Sequence, residues 1–426
     1  MPPSAGEYED IAGGAGDFVR PRELQAATLD DHQQFMAIVD MALSRGIGPR
    51  PEGDPENEHA GRLCNPGRKP GQDRPGPAGR LSAMQRPLRL LIAGCGGIAK
   101  SWLDHLKTRT DTALAGFVDL DPARAAQRAG EYAPGAATGG DLAAMIDSVR
   151  PDIVVDLTIP EAHADVACLA LGRGCHVLAE KPMAASMADA RRVLAAAQQA
   201  GHVHAVMQNR RYLPGIRRVR QAIESGVIGR LTELHADFFI GAHFGGFRDA
   251  MRHVLLLDMA IHSVDQGRFL GGLEPVAVNA VEWNPPGSWY AHGASALVAV
   301  TCAGGERFTY RGSWCAEGLP TSWECTWRVI GTDGTALWDG GDGLRIAAVE
   351  PGSTGFQRPV KEVVPPPSPA LPLTGHAGCI DDMVTAIRAG RQPPTCGEDN
   401  IKSLAIIHAA IRSAESGGAT VRLDAL

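Results

Sequence analysis

From residue 87 onward, short apolar runs alternate with segments whose apolar positions recur every three or four residues. The runs "LRLLIA" (88–93), "LAGFVDLD" (114–121), "DIVVDLTIP" (152–160), "CHVLAEKP" (175–182) and "HVHAVMQ" (202–208) read as strands. Between the first two, Ile98, Trp102, Leu103 and Leu106 fall on one helical face. Asp121 followed by Pro122 marks a second helix start, and further helices are expected at about 141–149, after Pro160, and at 185–200. Apolar strands alternating with helices predict an α/β, doubly wound parallel sheet. After about residue 230 the texture changes. Longer strands dominate ("LTELHADFFIG", "PVAVNAVEWN", "ALVAVTCA", "ERFTYRGSWC", "CTWRVIGTDGTALWDG"), closed by helices at 375–389 and 399–416. Strands joined by short turns predict a mostly antiparallel sheet, so this half reads as α+β.

The first 86 residues follow neither pattern. From Gly48 to Arg80, Gly and Pro fill 14 of 33 positions and Leu63 is the one large apolar side chain. Such a stretch buries too little surface to offset its ordering entropy, so disorder is expected. Residues 28–46 could form one amphipathic helix carrying Phe35, Ile38 and Val39, stopped at Gly46. Met84, just before the first strand, is an alternative translation start. The expected organisation is therefore a disordered or mis-started extension (1–86), a Rossmann NAD-binding domain (87–208) and a C-terminal domain for substrate binding and oligomerisation (209–426).

Bulk properties narrow the function. The 426 residues carry a net charge of −7, which argues against a nucleic-acid partner. No apolar run approaches a membrane span, and "MPPSAGEYED" is not a signal peptide, so a cytoplasmic location is expected. The nine cysteines are scattered and never form C-x-x-C; reduced thiols and no bound metal are expected.

Candidate chemistry begins at the first strand–helix turn, "GCGGIA". Gly94 permits the tight turn, Gly96 lets a pyrophosphate approach the backbone, and the small Ala99 lets helix and strand pack closely. Gly97 and Ile98 belong to the same cradle, at a helix N-terminus suited to phosphate. Asp119 ends the second strand 25 residues after Gly94, where a carboxylate accepts both ribose hydroxyls and repels a 2′-phosphate. NAD is expected rather than NADP, with nearby Arg124 as a reservation. A purely structural turn is the competing reading. Lys181 lies at the carboxyl end of a parallel strand, the edge at which such sheets bind ligands; alone it would read as a surface lysine. Further on, "DMAIHSVD" places Asp258, His262 and Asp265 at offsets of four and three, on roughly one helical face. That face is either simply wet or lines a site.

"GCGGIA", "VDLDPARA", "TIPEAH", "GCHVLAEKPMA", "QNRRYLPGIRRVRQAIESGVIGRL" and "LLLDMAIHSVDQGRFL" occur in order. Together they resemble the glucose–fructose oxidoreductase / inositol dehydrogenase / MocA (Gfo/Idh/MocA) family over about residues 87–426. The resemblance implies a Rossmann domain followed by a C-terminal α+β domain with an open, mainly antiparallel sheet. It implies an NAD(P)-dependent enzyme that oxidises or reduces a carbinol of a sugar, cyclitol or related polyol. The family's catalytic lysine falls on Lys181 and its Asp/His pair on Asp258 and His262. On this reading His262 takes the hydroxyl proton and Asp258 holds the imidazole. Asp265 contacts substrate or packs the helix.

Thr158, Glu180 and His163 are candidate cofactor contacts, with backbone or packing roles as alternatives. Asn209 and Arg210 are candidate substrate contacts; Arg211 points to solvent or an ion pair. His243, Arg248, Arg252 and His253 could read the substrate, and the tryptophans of the second half stack on sugar or pack the sheet. The resemblance also implies a homodimer or homotetramer built on the C-terminal sheet. Two other functions stay open: internal redox with a tightly held NAD, and a non-catalytic NAD-binding sensor or scaffold.

Overall fold

The computed structural model describes residues 86–426. The expected helix at 28–46, the Gly/Pro-rich stretch and the alternative start at Met84 lie outside the described residues. Residues 86–243 and 251–426 belong to one compact unit. The segment Phe244–Ala250 falls outside that unit; its short helix, Phe247–Ala250, carries Arg248, whose guanidinium lies over the rings of Phe244 and Phe247 at 5.0 and 4.9 Å.

The first sheet has six strands: β1 (Leu88–Ala93), β2 (Thr112–Val118), β3 (Ala137–Gly139), β4 (Ile153–Asp156), β5 (His176–Ala179) and β6 (His204–Val206). All pairs are parallel, in the order β3-β2-β1-β4-β5-β6. This is the order of the dinucleotide-binding Rossmann sheet, whose chain reversal beside β1 opens a crevice at the strand ends. Helices cover both faces: α1 (Ala99–Leu106), α2 (Pro122–Tyr132), α3 (Leu142–Val149), α4 (Pro160–Gly172) and α5 (Met187–Ala200). Every residue of β4 is buried, as expected of a strand covered on both sides. Local chemistry sets the helix starts. The Asp121 carboxylate accepts the Ala123 N–H, with Pro122 in the first turn, and Asp141 accepts from Ala144. Ser186 caps α5 and Gly201 ends it at φ +65°.

A 3₁₀ turn (Asn209–Tyr212) and α6 (Pro214–Glu224) lead out of this sheet. The second sheet has nine strands, with β13 (Leu344–Val349), β14 (Val360–Val363) and β15 (Val421–Arg422) toward its edges, in the order β14-β13-β12-β11-β7-β10-β9-β8-β15. Its central members are β7 (Leu231–Phe239), β8 (Pro275–Trp283), β9 (Ser295–Cys302), β10 (Arg307–Ser313), β11 (Thr326–Gly331) and β12 (Gly334–Trp338). All its pairs are antiparallel except β7 with β10. Burial alternates along β9, β10 and β11, so one face is covered and the other is not. Between β7 and β8 run the short helix α7 (Phe247–Ala250), a π-helical segment (Leu255–Ala260) and α8 (Ile261–Gly271). Helices α9 (Gly375–Arg388) and α10 (Gly397–Glu415) close the chain; α10 packs on β8 and α8. The uncovered face exposes Val281, Trp283 and Leu297.

The pattern reading missed β3, β13 (Leu344–Val349), β14 (Val360–Val363), β15 (Val421–Arg422) and α6. Three of the four missed strands have four residues or fewer, too short to show a period. Within 258–265 the structure departs from a regular α-helix: Asp258 lies in the π-helical turn and His262 in the α-helix that follows. The offset of four therefore spans a change of winding.

Candidate active site

The glycine turn is built around close backbone approaches. Gly94 has φ +90°, and a Cβ there would sit 2.6 Å from the Leu157 carbonyl oxygen, so only glycine fits between β1 and the end of β4. At Gly96 and Gly97 an added Cβ would meet no atom within 4 Å. The turn therefore presents bare backbone to open space at the mouth of α1, which suits a bound pyrophosphate. Ala99 is buried and Ile98 is 42% exposed. Asp119 shapes the turn: its Oδ2 accepts the Cys95 N–H at 2.8 Å and its Oδ1 accepts the Asp121 N–H at 2.9 Å. A carboxylate has about four lone-pair positions, so acceptor capacity is left for a ribose diol. Arg128, which the pattern reading passed over, donates to the carbonyls of Cys95 (3.1 Å) and Gly96 (3.3 Å). Burial and the neighbouring Asp119 push the Cys95 thiol up to about 12, so it stays protonated. These residues fit an NAD: open backbone for the diphosphate and an acceptor for the ribose.

At the end of β4, Asp156 organises two of the expected cofactor contacts. Its Oδ1 accepts from the Thr158 hydroxyl at 2.6 Å, and its Oδ2 lies 2.9 Å from His163 Nδ1. His163 is 1% exposed and its Nε2 is buried without a partner. Burial alone would lower its pKa, but Asp156 outweighs that and raises it. The imidazole thus lies beneath the strand ends, with Thr158 and Asp156 as its partners.

At the end of β5, Lys181 precedes Pro182 in a cis peptide bond. The Lys181 Nζ donates to the Asp258 carboxylate at 3.2 Å and to the Asp258 carbonyl at 3.1 Å. Both side chains are about one-fifth exposed. Glu180, expected at the ribose, is 7% exposed: one oxygen accepts the Trp102 indole N–H at 2.6 Å and the other the Lys181 N–H at 3.0 Å.

His262 lies one turn beyond Asp258. Its Nδ1 is buried without a partner. Burial holds the imidazole well below its ordinary pKa, helped by the charges of Arg210, Lys181 and His376. It is neutral at pH 7. Asp258, which hydrogen-bonds the lysine, lies in the π-helical turn, and His262 lies in the α-helix that follows.

The two halves of this arrangement match one family. A model described as "Oxidoreductase family, NAD-binding Rossmann fold" (GFO_IDH_MocA) matches residues 88–208, and the GFO/IDH/MocA C-terminal domain matches residues 216–337. The chain belongs to the Gfo/Idh/MocA oxidoreductases. D-apiose dehydrogenase of Paraburkholderia graminis is 26% identical over 350 residues, spanning 79% of this chain and 89% of the relative. Inositol 2-dehydrogenase 2 of Saccharopolyspora erythraea is 31% identical over 195 residues, 44% of this chain and 55% of that one. An oxidoreductase of Agrobacterium radiobacter, solved with NAD+, L-tartaric acid and magnesium, superposes with a TM-score of 0.68 at 22% identity. That likeness covers 79% of this chain and 99% of that one and concerns the fold.

Around the central groups of this oxidoreductase, Asn209 and Arg210 face different partners. Asn209 Nδ2 lies 3.2 Å from His376 Nδ1, and its Oδ1 is buried without a partner. Arg210 donates to the Trp323 carbonyl, contacts Met259 Sδ at 3.5 Å and pairs with Glu324 at 3.5 Å. Burial raises the Glu324 carboxyl, opposed by Arg210 and by a 2.7 Å hydrogen bond from Gln266. His376, Glu324 and Gln266 escaped the pattern reading; His376 and Glu324 sit far from the motifs in sequence and reach the site only through long-range folding, whereas Gln266 lies four residues after His262 in the same helix. Trp323 is 49% exposed beside Arg210, whereas Trp314 and Trp327 are buried in the sheet core.

Arg211 does not point to solvent. It donates to Asp265 from Nε (2.6 Å) and Nη2 (2.5 Å), and to Asp399 at 2.6 Å. Asp265 also accepts from Ser403 at 2.9 Å and is 1% exposed, so it packs the helix. His253 pairs with Glu282 at 2.5 Å, Arg252 lies 3.9 Å from Glu415, and His243 stacks on Trp289 while pairing with Glu317 at 2.7 Å. These contacts occupy three of the residues considered as substrate readers. No helix among the described residues is long and apolar enough to cross a membrane.

Proposed function

We propose that this protein transfers a hydride between NAD and a secondary carbinol (or the matching carbonyl) of a sugar, cyclitol or related polyol. The observation that carries the reading is the meeting of Lys181, from the end of a Rossmann strand, with Asp258, one turn before His262. The names of curated relatives, including D-apiose dehydrogenase, D-glucoside 3-dehydrogenase and inositol 2-dehydrogenase, support the substrate class.

Bound at the glycine turn, NAD would supply the hydride acceptor. The diphosphate would rest on the backbone of Gly94 to Ala99, the ribose on Asp119, with Thr158 and Glu180 holding the strand ends. His262, kept neutral, has a lone pair ready for the hydroxyl proton at pH 7. The Lys181 ammonium donates to the oxygen that gains charge as that proton leaves, and Asp258 aims the ammonium. Asn209 and Arg210 border the substrate space, and the exposed Trp323 ring offers a face to the apolar side of a sugar. Residues 87–208 thus serve the cofactor and 209–426 the substrate. The uncovered sheet face bearing Val281, Trp283 and Leu297 is covered by a second copy, which light scattering on the purified protein tests.

The decisive experiment is a panel of aldoses, inositols, their oxidised forms and sugar acids, read at the reduced-nicotinamide absorbance band with wild type and H262A. The reading expects turnover of a polyol by wild type and a loss of about 10²–10⁴-fold in H262A with NAD affinity retained. Wild-type rates in H262A reject the site. NAD that stays bound through gel filtration, with no net NADH from any polyol, would favour internal redox instead.

A further inference from the structure

We propose that Trp102 is a positioning residue for Lys181, acting through Glu180. The inference rests on the reading of Lys181 as a catalytic group. Trp102 lies on α1, the helix that opens at the glycine turn, and is fully buried. Its indole N–H donates to one oxygen of Glu180 at 2.6 Å, while the other oxygen accepts the backbone N–H of Lys181 at 3.0 Å. The lysine side chain then reaches Asp258 in the π-helical turn. Three successive hydrogen-bonded links therefore join the cofactor-facing helix to the turn that leads to His262.

Physical chemistry makes the indole N–H the telling feature. A carboxylate that is 7% exposed needs donors for both oxygens, and a charge-assisted bond is the strong kind. The indole is a donor with no acceptor of its own, so it cannot be satisfied except by a group such as Glu180. The packing of α1 against the sheet needs only a large apolar side chain, and Leu103 and Leu106 of the same helix meet that need without a polar atom. What tryptophan adds is a fixed bond to the residue preceding the reacting amine. Misplacing a reacting group by about 1 Å can cost on the order of 10²-fold in rate, which is the scale on which such an anchor acts.

The test reads the lysine directly. The chain has six lysines, Lys69, Lys100, Lys107, Lys181, Lys361 and Lys402, so reductive methylation with ¹³C-formaldehyde gives a sparse NMR spectrum. The Lys181 signal is identified by its loss in K181M. W102F keeps a buried ring and removes the donor; E180Q keeps the side-chain shape and removes the charge. The proposal expects the Lys181 signal to move toward those of the exposed lysines in both variants, with circular dichroism unchanged. It also expects W102F to lose about 10- to 100-fold in kcat on the best substrate of the panel, with KM within about twofold. A Lys181 signal at its wild-type position in W102F overturns the proposal. Should W102F fail to fold, replacement of Trp102 by 3-benzothienylalanine, which keeps the fused ring and removes the N–H donor, is read in the same way. Wild-type turnover in K181M would instead reject Lys181 as catalytic, an outcome separate from the NMR result.

Discussion

Arg211 and Asp265 form a two-pronged ion pair inside the protein, with Nε–Oδ2 at 2.6 Å and Nη2–Oδ1 at 2.5 Å and side chains 6% and 2% exposed. Asp399 and Ser403 complete the network. Removing one partner of a buried pair typically costs about 3–5 kcal/mol, because the other charge is left stranded. Here Asp399 stays beside Arg211, so D265A should cost about 3 kcal/mol, seen as a lower denaturant midpoint. D258N, by contrast, should leave the midpoint in place and lower turnover. A D265A protein as stable as wild type would remove Asp265 from the structural role.

The pH dependence follows from His262. Its folded pKa lies well below 6.5, through burial first and then the charges of Arg210, Lys181 and His376. The neutral base therefore persists below pH 6.5, and the acid limb of kcat/KM assigned to it should fall well below that value. R210M removes a repelling charge, so it should move the limb upward. The stability sign runs the same way. The unfolded imidazole binds a proton below its ordinary pKa and the folded one does not, so this group's contribution is present above pH 6.5 and is lost as pH falls. An acid limb at 6.5 that ignores R210M would contradict the assignment.

The glycines separate fold from cofactor. G94A forces a Cβ to within 2.6 Å of the Leu157 carbonyl at φ +90°, so it should destabilise the protein. G96A meets no protein atom within 4 Å, so thermal stability should hold while NAD affinity falls. Thermal melts with and without NAD distinguish the two. A G96A protein that binds NAD normally would place the diphosphate elsewhere.

Asp119 carries two duties. Substituting it with serine should move the NADP/NAD preference toward NADP, since the charge that repels a 2′-phosphate is gone. The same change removes the carboxylate that accepts the Cys95 and Asp121 N–H groups. NAD affinity should therefore drop as well, measured by titration of both cofactors. An unchanged ratio would mean that the ribose lies away from Asp119.

What the chain alone determined is the local grammar. Strand after apolar strand, the Asp121 and Ser186 caps and the glycine turn are set by neighbours a few residues away, and the family motifs lie within such stretches. The alternation of strands and helices and the lysine at a strand end follow from that grammar. Tertiary structure decided which polar groups meet. Asp258 and Asp265 look alike on a helix wheel, yet one reaches Lys181, 77 residues earlier, and the other Arg211, 54 residues earlier. Asp258 and His262 lie on opposite sides of the winding change at Ala260–Ile261. His376, Glu324 and the bond from Trp102 to Glu180 entered the picture only once helices and strands distant in sequence had packed. Burial and partner choice belong to pairs of segments, and one-dimensional periodicity carries no information about which segments pair.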